Sequence, residues 1–419
     1  MVIADKRSDT GETYRKRNHM NLILSRLALV LLLIAAYLRH LHGISGPGTP
    51  IFRMLGLSAL LAPVSFYVYI LLRRSAKCFL PHMNPAHREA LVLIAAAVIL
   101  VPSMYIFGLP LLFVLHVVVL ALAVEILRLL LKFGGGCGPR FQNLYRSGAL
   151  PLFGALLIFA FGYINMHTVH PRYETIHGGA AIPEAGYTVV FLSDLHFENS
   201  MTPADLSAYS EEITALKPDA VILGGDIVDE RTSNAGMHAA FEILGNIETK
   251  SGVFYIYGNH DRALYTAAPA FTETELAETI RAAGIHILCD DSAVLTPTLT
   301  LTGREDRSTP IRTGIPRKTH KALAAALPEG AFHILADHQP REWDEAAEAG
   351  FNLMLSGHTH RGQIWPIGLL VEALDKDTFV YGHKKEGNLD FLVSSGIAGW
   401  GYPIRTEGQC EYVIIKIVP

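Results

Sequence analysis

Carboxylates are nearly missing from the first 166 residues of this 419-residue chain, which hold 5 Asp+Glu against 16 Lys+Arg. Long apolar runs fill the space between those cations, so this part is neither an ordinary soluble domain nor a disordered tail. From residue 167 onward the scarcity reverses, with 19 basic residues against 34 acidic ones, and the basic face that a nucleic-acid partner needs is lacking. Cysteine is scarce too. Cys78, Cys137, Cys289 and Cys410 show no CxxC spacing, which leaves no sign of a thiolate zinc site, a redox pair or a disulfide-stapled miniprotein. There is no GxxxxGK[ST] phosphate loop and no HExxH, and Gly134-Gly135-Gly136 lacks any flanking strand-and-helix logic. Internal repeats and low-complexity tracts are absent as well, and at roughly 150 residues per domain the length suggests two or three domains.

What the first part does contain is five stretches near the ~20 apolar residues that cross a bilayer: Asn21–Leu38, Ile51–Leu72, Ala90–Phe107, Leu109–Leu131 and Gly148–Met166. Gly108 and Pro110 mark a tight turn between the third and fourth, and fusing or shifting those two would give four spans instead. Basic residues gather in the N-terminal tail (Lys6, Arg7, Arg15, Lys16, Arg17), between the second and third spans (Arg73, Arg74, Lys77, Arg88) and between the fourth and fifth (Arg128, Lys132, Arg140, Arg146). The alternate connections hold Arg39, with Arg53 just inside the second span. This bias places the N-terminus in the cytoplasm of a bacterial-type inner or plasma membrane, and five crossings put residues 167–419 outside it; four would put them inside. The first span lacks a small-x-small cleavage site and reads as retained. Only His116 sits near a helix centre, with Arg26 and Glu125 towards helix ends, so the helices read as an anchor rather than a transport path.

Residues 167–186, rich in Gly and Pro, read as a linker to a domain over 187–419 in which strand-like and helix-like runs alternate, the α/β pattern. Five short apolar runs are each followed by Asp, Asn or His. Tyr187–Leu192 leads to Asp194 and His196, Ala220–Leu223 to Asp226 and Asp229, and Val253–Tyr257 to Asn259, His260 and Asp261. Phe332–Leu335 leads to Asp337 and His338, and Asn352–Leu355 to His358 and His360. Strand C-termini are where open α/β sheets build ligand sites.

Asp194, His196, Asp226, Asn259, His338, His358 and His360 offer seven nitrogen and oxygen donors and no thiolate. That set suits manganese, iron or zinc better than calcium. Two ions need a bridging carboxylate between them, and Asp226, central in the order, is the natural candidate. Each cluster alone has an ordinary explanation as a turn, a cap or a satisfied core histidine. Their order and shared position carry the reading.

In that order, Asp-x-His, Gly-Asp-x-x-Asp, Gly-Asn-His-Asp, a later His and Gly-His-x-His, the sequence resembles the calcineurin-like metallophosphoesterase superfamily over about residues 187–418. The resemblance implies a four-layer αββα sandwich, here preceded by an all-α transmembrane domain of about five helices over 1–166. It implies one metal on Asp194, His196, Asp226 and His360, and a second on Asp226, Asn259, His338 and His358. It further implies that His260 assists the leaving group and that Asp229 and Asp261 orient the ligands.

Within the superfamily, residues 356–363 and 395–405 resemble a membrane-associated branch that includes a YkuE-like phosphoesterase and UDP-diacylglucosamine pyrophosphohydrolases. Many relatives have Gly where Arg361 stands; it is either a phosphate-binding cation or a solvated Arg, and Arg405 either binds phosphate or forms a structural ion pair. Ile364–Val371 either dips into the bilayer to admit a lipid phosphoester or forms a buried strand or core loop. The expectation is a membrane-anchored phosphoesterase acting on a phosphodiester, a lipid-linked one among the options. The alternatives are a transporter, or a metal or phosphate sensor, with a regulatory phosphoesterase-like domain.

Overall fold

The computed structural model describes residues 24–37, 51–105, 108–133 and 138–419, with only the backbone described for 51–60. The N-terminal basic tail, Arg39, the side chain of Arg53, Cys137 and Gly134–Gly136 lie outside the described residues. Two compact units divide between Ala160 and Phe161.

The N-terminal unit is helical. Helix α1 (Leu24–Tyr37) precedes α2 (Ile51–Phe79), α3 (Pro85–Leu100), α4 (Leu109–Phe133), α5 (Pro139–Ser147) and the start of α6 (Ala149–Met166). Among the described residues, three helical segments are long and apolar enough to cross a membrane, where the sequence predicts five spans: Pro85–Met104, Leu109–Phe133 and Ala149–Met166. Helix α2 runs past its apolar stretch, so Arg73, Arg74 and Lys77 occupy its last turns instead of a loop. The cations are partly neutralised there. Glu89, buried in α3, pairs with Arg26 at 2.7 Å and Arg73 at 3.1 Å, and Glu125 pairs with Arg74 at 2.7 Å. His116 sits close to Leu112 O at 2.9 Å and packs edge-on against Phe159, which is a packing position.

The C-terminal unit holds two six-stranded sheets. The first has the order β1 (Val169–His177), β12 (Cys410–Val418), β2 (Tyr187–Leu192), β3 (Ala220–Leu223), β4 (Val253–Tyr255), β5 (His286–Ile287). The second runs β10 (Gly382–Glu386), β11 (Leu389–Val393), β9 (Leu353–Ser356), β8 (Phe332–Ala336), β7 (Leu299–Gly303), β6 (Asp291–Thr296). Both faces of the central strands are buried, which is why they read as continuous apolar runs and not as alternation. Val189, Phe191, Ile222 and Phe254 point between the sheets, against Leu301, Ile334, Leu353 and Leu392. Their sequence neighbours Val190, Leu192, Val221 and Tyr255 point outward, under α7 (Pro203–Ala215), α8 (Asn234–Gly245) and α9 (Glu273–Ala282). On the far side Leu335, Met354 and Phe391 pack under α11 (His320–Ala324) and α12 (Trp343–Ala349), where α10 (Ser308–Thr313) precedes α11. Three apolar layers between four structural ones make the expected αββα sandwich.

Three local expectations are corrected. Residues 167–186 are not only a linker: Val169–His177 forms β1 and pairs in parallel register with all nine residues of β12. Leu295–Leu301 is not one strand with an edge proline but the join of the β6–β7 hairpin, with Pro297 in its turn. The run from Ile364 is not a buried strand. After the turn at His360–Gly362 it becomes α13 (Ile367–Leu374), with Trp365, Ile367, Leu369, Leu370 and Leu374 exposed.

Candidate dinuclear metal site

Strands β2, β3 and β4 are parallel neighbours in one sheet, and β8 and β9 in the other, so their C-terminal ends deliver loops to one place. The loops turn sharply there. Asp194, His196, Asp226, His358 and His360 all hold positive φ, between 41° and 70°. This left-handed backbone costs each non-glycine residue about 1–3 kcal/mol, and it concentrates where a site over-determines the geometry. Glycines make the approach possible. A Cβ on Gly258 would stand 2.2 Å from Asp226 Oδ1, and one on Gly357 would stand 2.2 Å from Asp194 Oδ2. Gly357→Ala is therefore expected to displace the Asp194 carboxylate and to cut metal content in elemental analysis while the sandwich stays folded by circular dichroism.

Two sets of ligand atoms come together. Asp194, His196 and His360 offer donors within 4.8 Å of one another, and so do Asp226, His338 and His358. The sets share a neighbour: Asp226 Oδ2 lies 3.7 Å from His196 Nε2 and 3.1 Å from His338 Nε2. Neither contact has hydrogen-bond geometry. His196 Nε2, His338 Nε2, His360 Nδ1 and Asn259 Oδ1 are all buried atoms without a hydrogen-bond partner. Buried polar atoms are rarely left unsatisfied, each costing about 1–3 kcal/mol. Two orphaned histidine nitrogens beside Asp226, with His360 Nε2 3.6 Å from Asp194 Oδ1, fit a pair of divalent cations, with nitrogen and oxygen ligands and no thiolate.

The supporting bonds fix which ring nitrogen is free. His196 Nδ1 lies 3.2 Å from Asp229 Oδ2, and His338 Nδ1 lies 2.8 Å from Gly224 O. With Nδ1–H donating to those oxygens, Nε2 presents its lone pair inward, as metal-binding histidines do. Burial holds the His358 ring down in the neutral form that binds a metal. Asp229 also accepts from the Arg231 and Thr232 amides, at 2.7 and 3.2 Å. Asp261 accepts from the amides of Asp226, Ile227, Val228 and Gly258, at 2.6 to 3.2 Å, and so pins the loop that carries Asp226.

His260 borders this cluster. Its amide donates to Asp226 Oδ1 at 2.8 Å, and its ring packs near Tyr265 and Trp400, with centroids at 5.0 and 5.1 Å. Its Nδ1 bonds Glu230 at 2.8 Å. Burial alone would depress the ring; Asp226 and then Glu230 outweigh it and raise the pKa to about 9. Glu230, Tyr265 and Trp400 were not singled out from the sequence. Glu230 follows the second Asp of Gly-Asp-x-x-Asp directly, and that adjacency was the available signal.

Of the two arginines proposed for phosphate, Arg405 turns away from any substrate. Arg405 is fully buried and donates to the carbonyls of His360, Ser395, Ala398 and Gln409, so it scaffolds the His360 loop and has no room for a substrate. Arg361 stacks on Tyr381, 4.2 Å from the ring centroid. A cavity of about 320 Å³ beside His358 is instead bordered by Arg307 and Arg341. A third acidic and histidine group, His320, Glu342 and Glu345, is already occupied by protein, since Arg304 donates to His320 Nε2 and to Glu342, both at 2.8 Å.

The family model described as calcineurin-like phosphoesterase matches residues 187–362, the stretch that carries these loops. An uncharacterized metallophosphoesterase of Helicobacter pylori is 28% identical over 55% of this chain and 60% of its own length. A transmembrane protein with metallophosphoesterase domain from Danio rerio is 28% identical over 65% of this chain and 63% of its own. The phosphodiesterase YaeI of Escherichia coli is 29% identical over 62% of this chain and 93% of its own. The chain thus spans less than two thirds of the first two relatives. With the sandwich, the strand-end ligand loops and the family match in agreement, the C-terminal unit belongs to the calcineurin-like metallophosphoesterase superfamily.

Proposed function

We propose that this chain is a membrane-anchored phosphoesterase that uses two divalent ions, manganese, iron or zinc, to hydrolyse a phosphodiester. One observation carries the reading: two three-residue ligand clusters meet at Asp226, whose Oδ2 neighbours two buried, unpartnered histidine nitrogens. The proposed ligands are Asp194, His196, Asp226 and His360 for one ion, and Asp226, Asn259, His338 and His358 for the other. Such ions, when bound, neutralise phosphoryl oxygens and make water a nucleophile at neutral pH.

The rest falls to the chain itself. Asp229 and the Gly224 carbonyl hold two imidazoles in the tautomer that exposes Nε2. Asp261 fixes the Asp226 loop through four amides. His260, held by Glu230 through Nδ1, keeps a proton on Nε2 for the departing oxygen. The phosphorus–oxygen bond to the leaving group breaks as one to water oxygen forms, and the proton from His260 makes the leaving group a neutral alcohol. The diester choice draws support from the phosphodiesterase relative, and the membrane anchor from the transmembrane one and the three apolar helices. A lipid-linked substrate, for example of the UDP-diacylglucosamine type, whose leaving group is a phosphate and not an alcohol, belongs to the same proposal. The catalytic unit is proposed to lie outside the cytoplasm. Purified protein reloaded with manganese, iron or zinc is expected to cleave a soluble chromogenic diester faster than the matching monoester; hydrolysis of neither with any metal refutes the proposal.

A further inference from the structure

Apart from Glu372, the exposed residues of α13 are apolar where a water-facing helix would be polar. Leu369 and Leu370 are more than half exposed and Leu374 is 82% exposed, with Trp365 and Ile367 beside them. The same unit contains the last turn of α6, the end of an 18-residue apolar helix. One short loop holds both. The Arg405 amide donates to Gly162 O at 3.0 Å, and Asn165 Nδ2 donates to Arg405 O at 3.1 Å and Gly408 O at 2.6 Å. From the other side of that loop, Thr406 Oγ1 accepts from the Trp365 amide at 3.0 Å and Glu407 from the Gly368 amide at 2.9 Å. The exposed apolar face therefore starts one loop away from the end of a helix built to cross a bilayer. Tryptophan at the start of such a segment is the residue that favours the headgroup level.

The inner side of α13 completes the argument. Ile367, Gly368 and Val371 form one wall of the 320 Å³ cavity, and His358, Arg307 and Arg341 border it as well. An apolar wall together with Arg307, Arg341 (paired with Asp375, which also lines the cavity) and the proposed metal-ligand histidine His358 matches a phospholipid headgroup with the start of its chains. We propose that α13 lies in the headgroup–acyl boundary of the membrane that α6 crosses, and that the cavity behind it receives the phosphodiester of a bilayer phospholipid. The second half of this proposal rests on the phosphoesterase reading; the first does not.

Both halves can be tested on the full chain in proteoliposomes of phosphatidylglycerol and phosphatidylcholine. Brominated acyl chains quench tryptophan that enters the bilayer. Wild type is expected to show quenching that Trp365→Phe loses, leaving the unquenched emission of Trp343 and Trp400. Identical quenching in the two proteins overturns the placement of α13. For the cavity, Leu369→Asp/Leu370→Asp is expected to cleave a soluble chromogenic diester like wild type but to lose about tenfold or more on vesicle phosphatidylglycerol, because the apolar contact with the membrane is gone. Loss on neither substrate, equal loss on both, or a wild type that cleaves the soluble diester and leaves phosphatidylglycerol intact, overturns headgroup delivery. A wild type inactive on the soluble diester defeats the phosphoesterase reading and headgroup delivery with it, and the quenching still decides where α13 lies.

Discussion

Asp226→Ala is expected to strip one or both ions from the loaded protein and to lower turnover by roughly three orders of magnitude or more, the scale on which a group shared by a catalytic unit acts. The reason is geometric. Asp226 Oδ2 is the atom that neighbours both His196 Nε2 and His338 Nε2, so its loss weakens two ligand sets at once. Asp226 Oδ1 also accepts from the His260 amide, and Asp226→Asn keeps that acceptor while removing the charge. The asparagine variant thus separates loss of metal from loss of loop position. Elemental analysis is expected to fall from two ions towards one or none in both variants. Stability supplies a second readout. Ions that bind only the folded state raise its melting temperature by mass action, and this rise should disappear in both variants. Without metal, the like charge of Asp226 is one of the influences, after burial, that push the Asp194 carboxyl upward. Metal-free Asp226→Asn relieves that repulsion but also removes the charge that supports the His260 imidazolium, so it is expected to melt lower than metal-free wild type near neutral pH. Two ions and full turnover retained by Asp226→Ala would refute the proposed site.

The residues of this site were legible in the sequence because the sandwich uses its strands in one manner. Each central strand is buried on both faces, so it reads as a short apolar run, and the polar residues just beyond it are where the chain leaves the core. That logic found Asp194, His196 and His360, and Asp226, His338 and His358, which the structure brings together in two groups. It could not find β1, whose residues include His170, Pro171 and Arg172. That strand sits at the sheet edge with much of its length exposed, and its register comes from β12, some 240 residues away. Nor could it assign the arginines. Arg361 and Arg405 lie close in sequence to the ligand loops, but Arg405 turns inward to four carbonyls and Arg361 onto Tyr381. Arg307 and Arg341 reach the cavity from α10's leading end and from the segment before α12, a tertiary placement with no local signature. The apolar run after His360 was legible as apolar, while its helical form and exposed face were settled by packing, in which only Ile364 and Gly368 are buried.

Glu230 is the residue the sequence concealed that bears most on the reaction, and its partner His260 gives the second large effect. His260→Ala is expected to lower turnover by about 10²–10⁴-fold, the usual worth of a positioned general acid, with both ions retained. Retention is expected because the His260 ring belongs to neither ligand cluster. In the metal-free protein the imidazole titrates near 9 because Asp226 and Glu230 outweigh its burial. Cations beside Asp226 compete for its negative charge, so the loaded value lies lower, with Glu230 as the support that remains. Glu230→Gln removes a negative charge 2.8 Å from Nδ1, which destabilises the imidazolium and lowers the pKa further. If the protonated ring is the acid, the alkaline limb of kcat against pH moves to lower pH in this variant; an unmoved limb would leave Glu230 with a packing role only. The folded-state linkage has the same sign. Stability contributed by a raised histidine is complete below its unfolded value of about 6.5 and is lost as pH rises through about 9. Metal-free wild type should therefore lose stability across that window, and Glu230→Gln should lose less. A two-dimensional NMR titration of the His260 ring in both proteins, with kcat measured on the loaded ones, reads the ionisation and the catalysis separately. The shift in the alkaline limb then reports the proton that His260 holds for the leaving group, because a change in loop packing alone would lower kcat without moving its pH dependence.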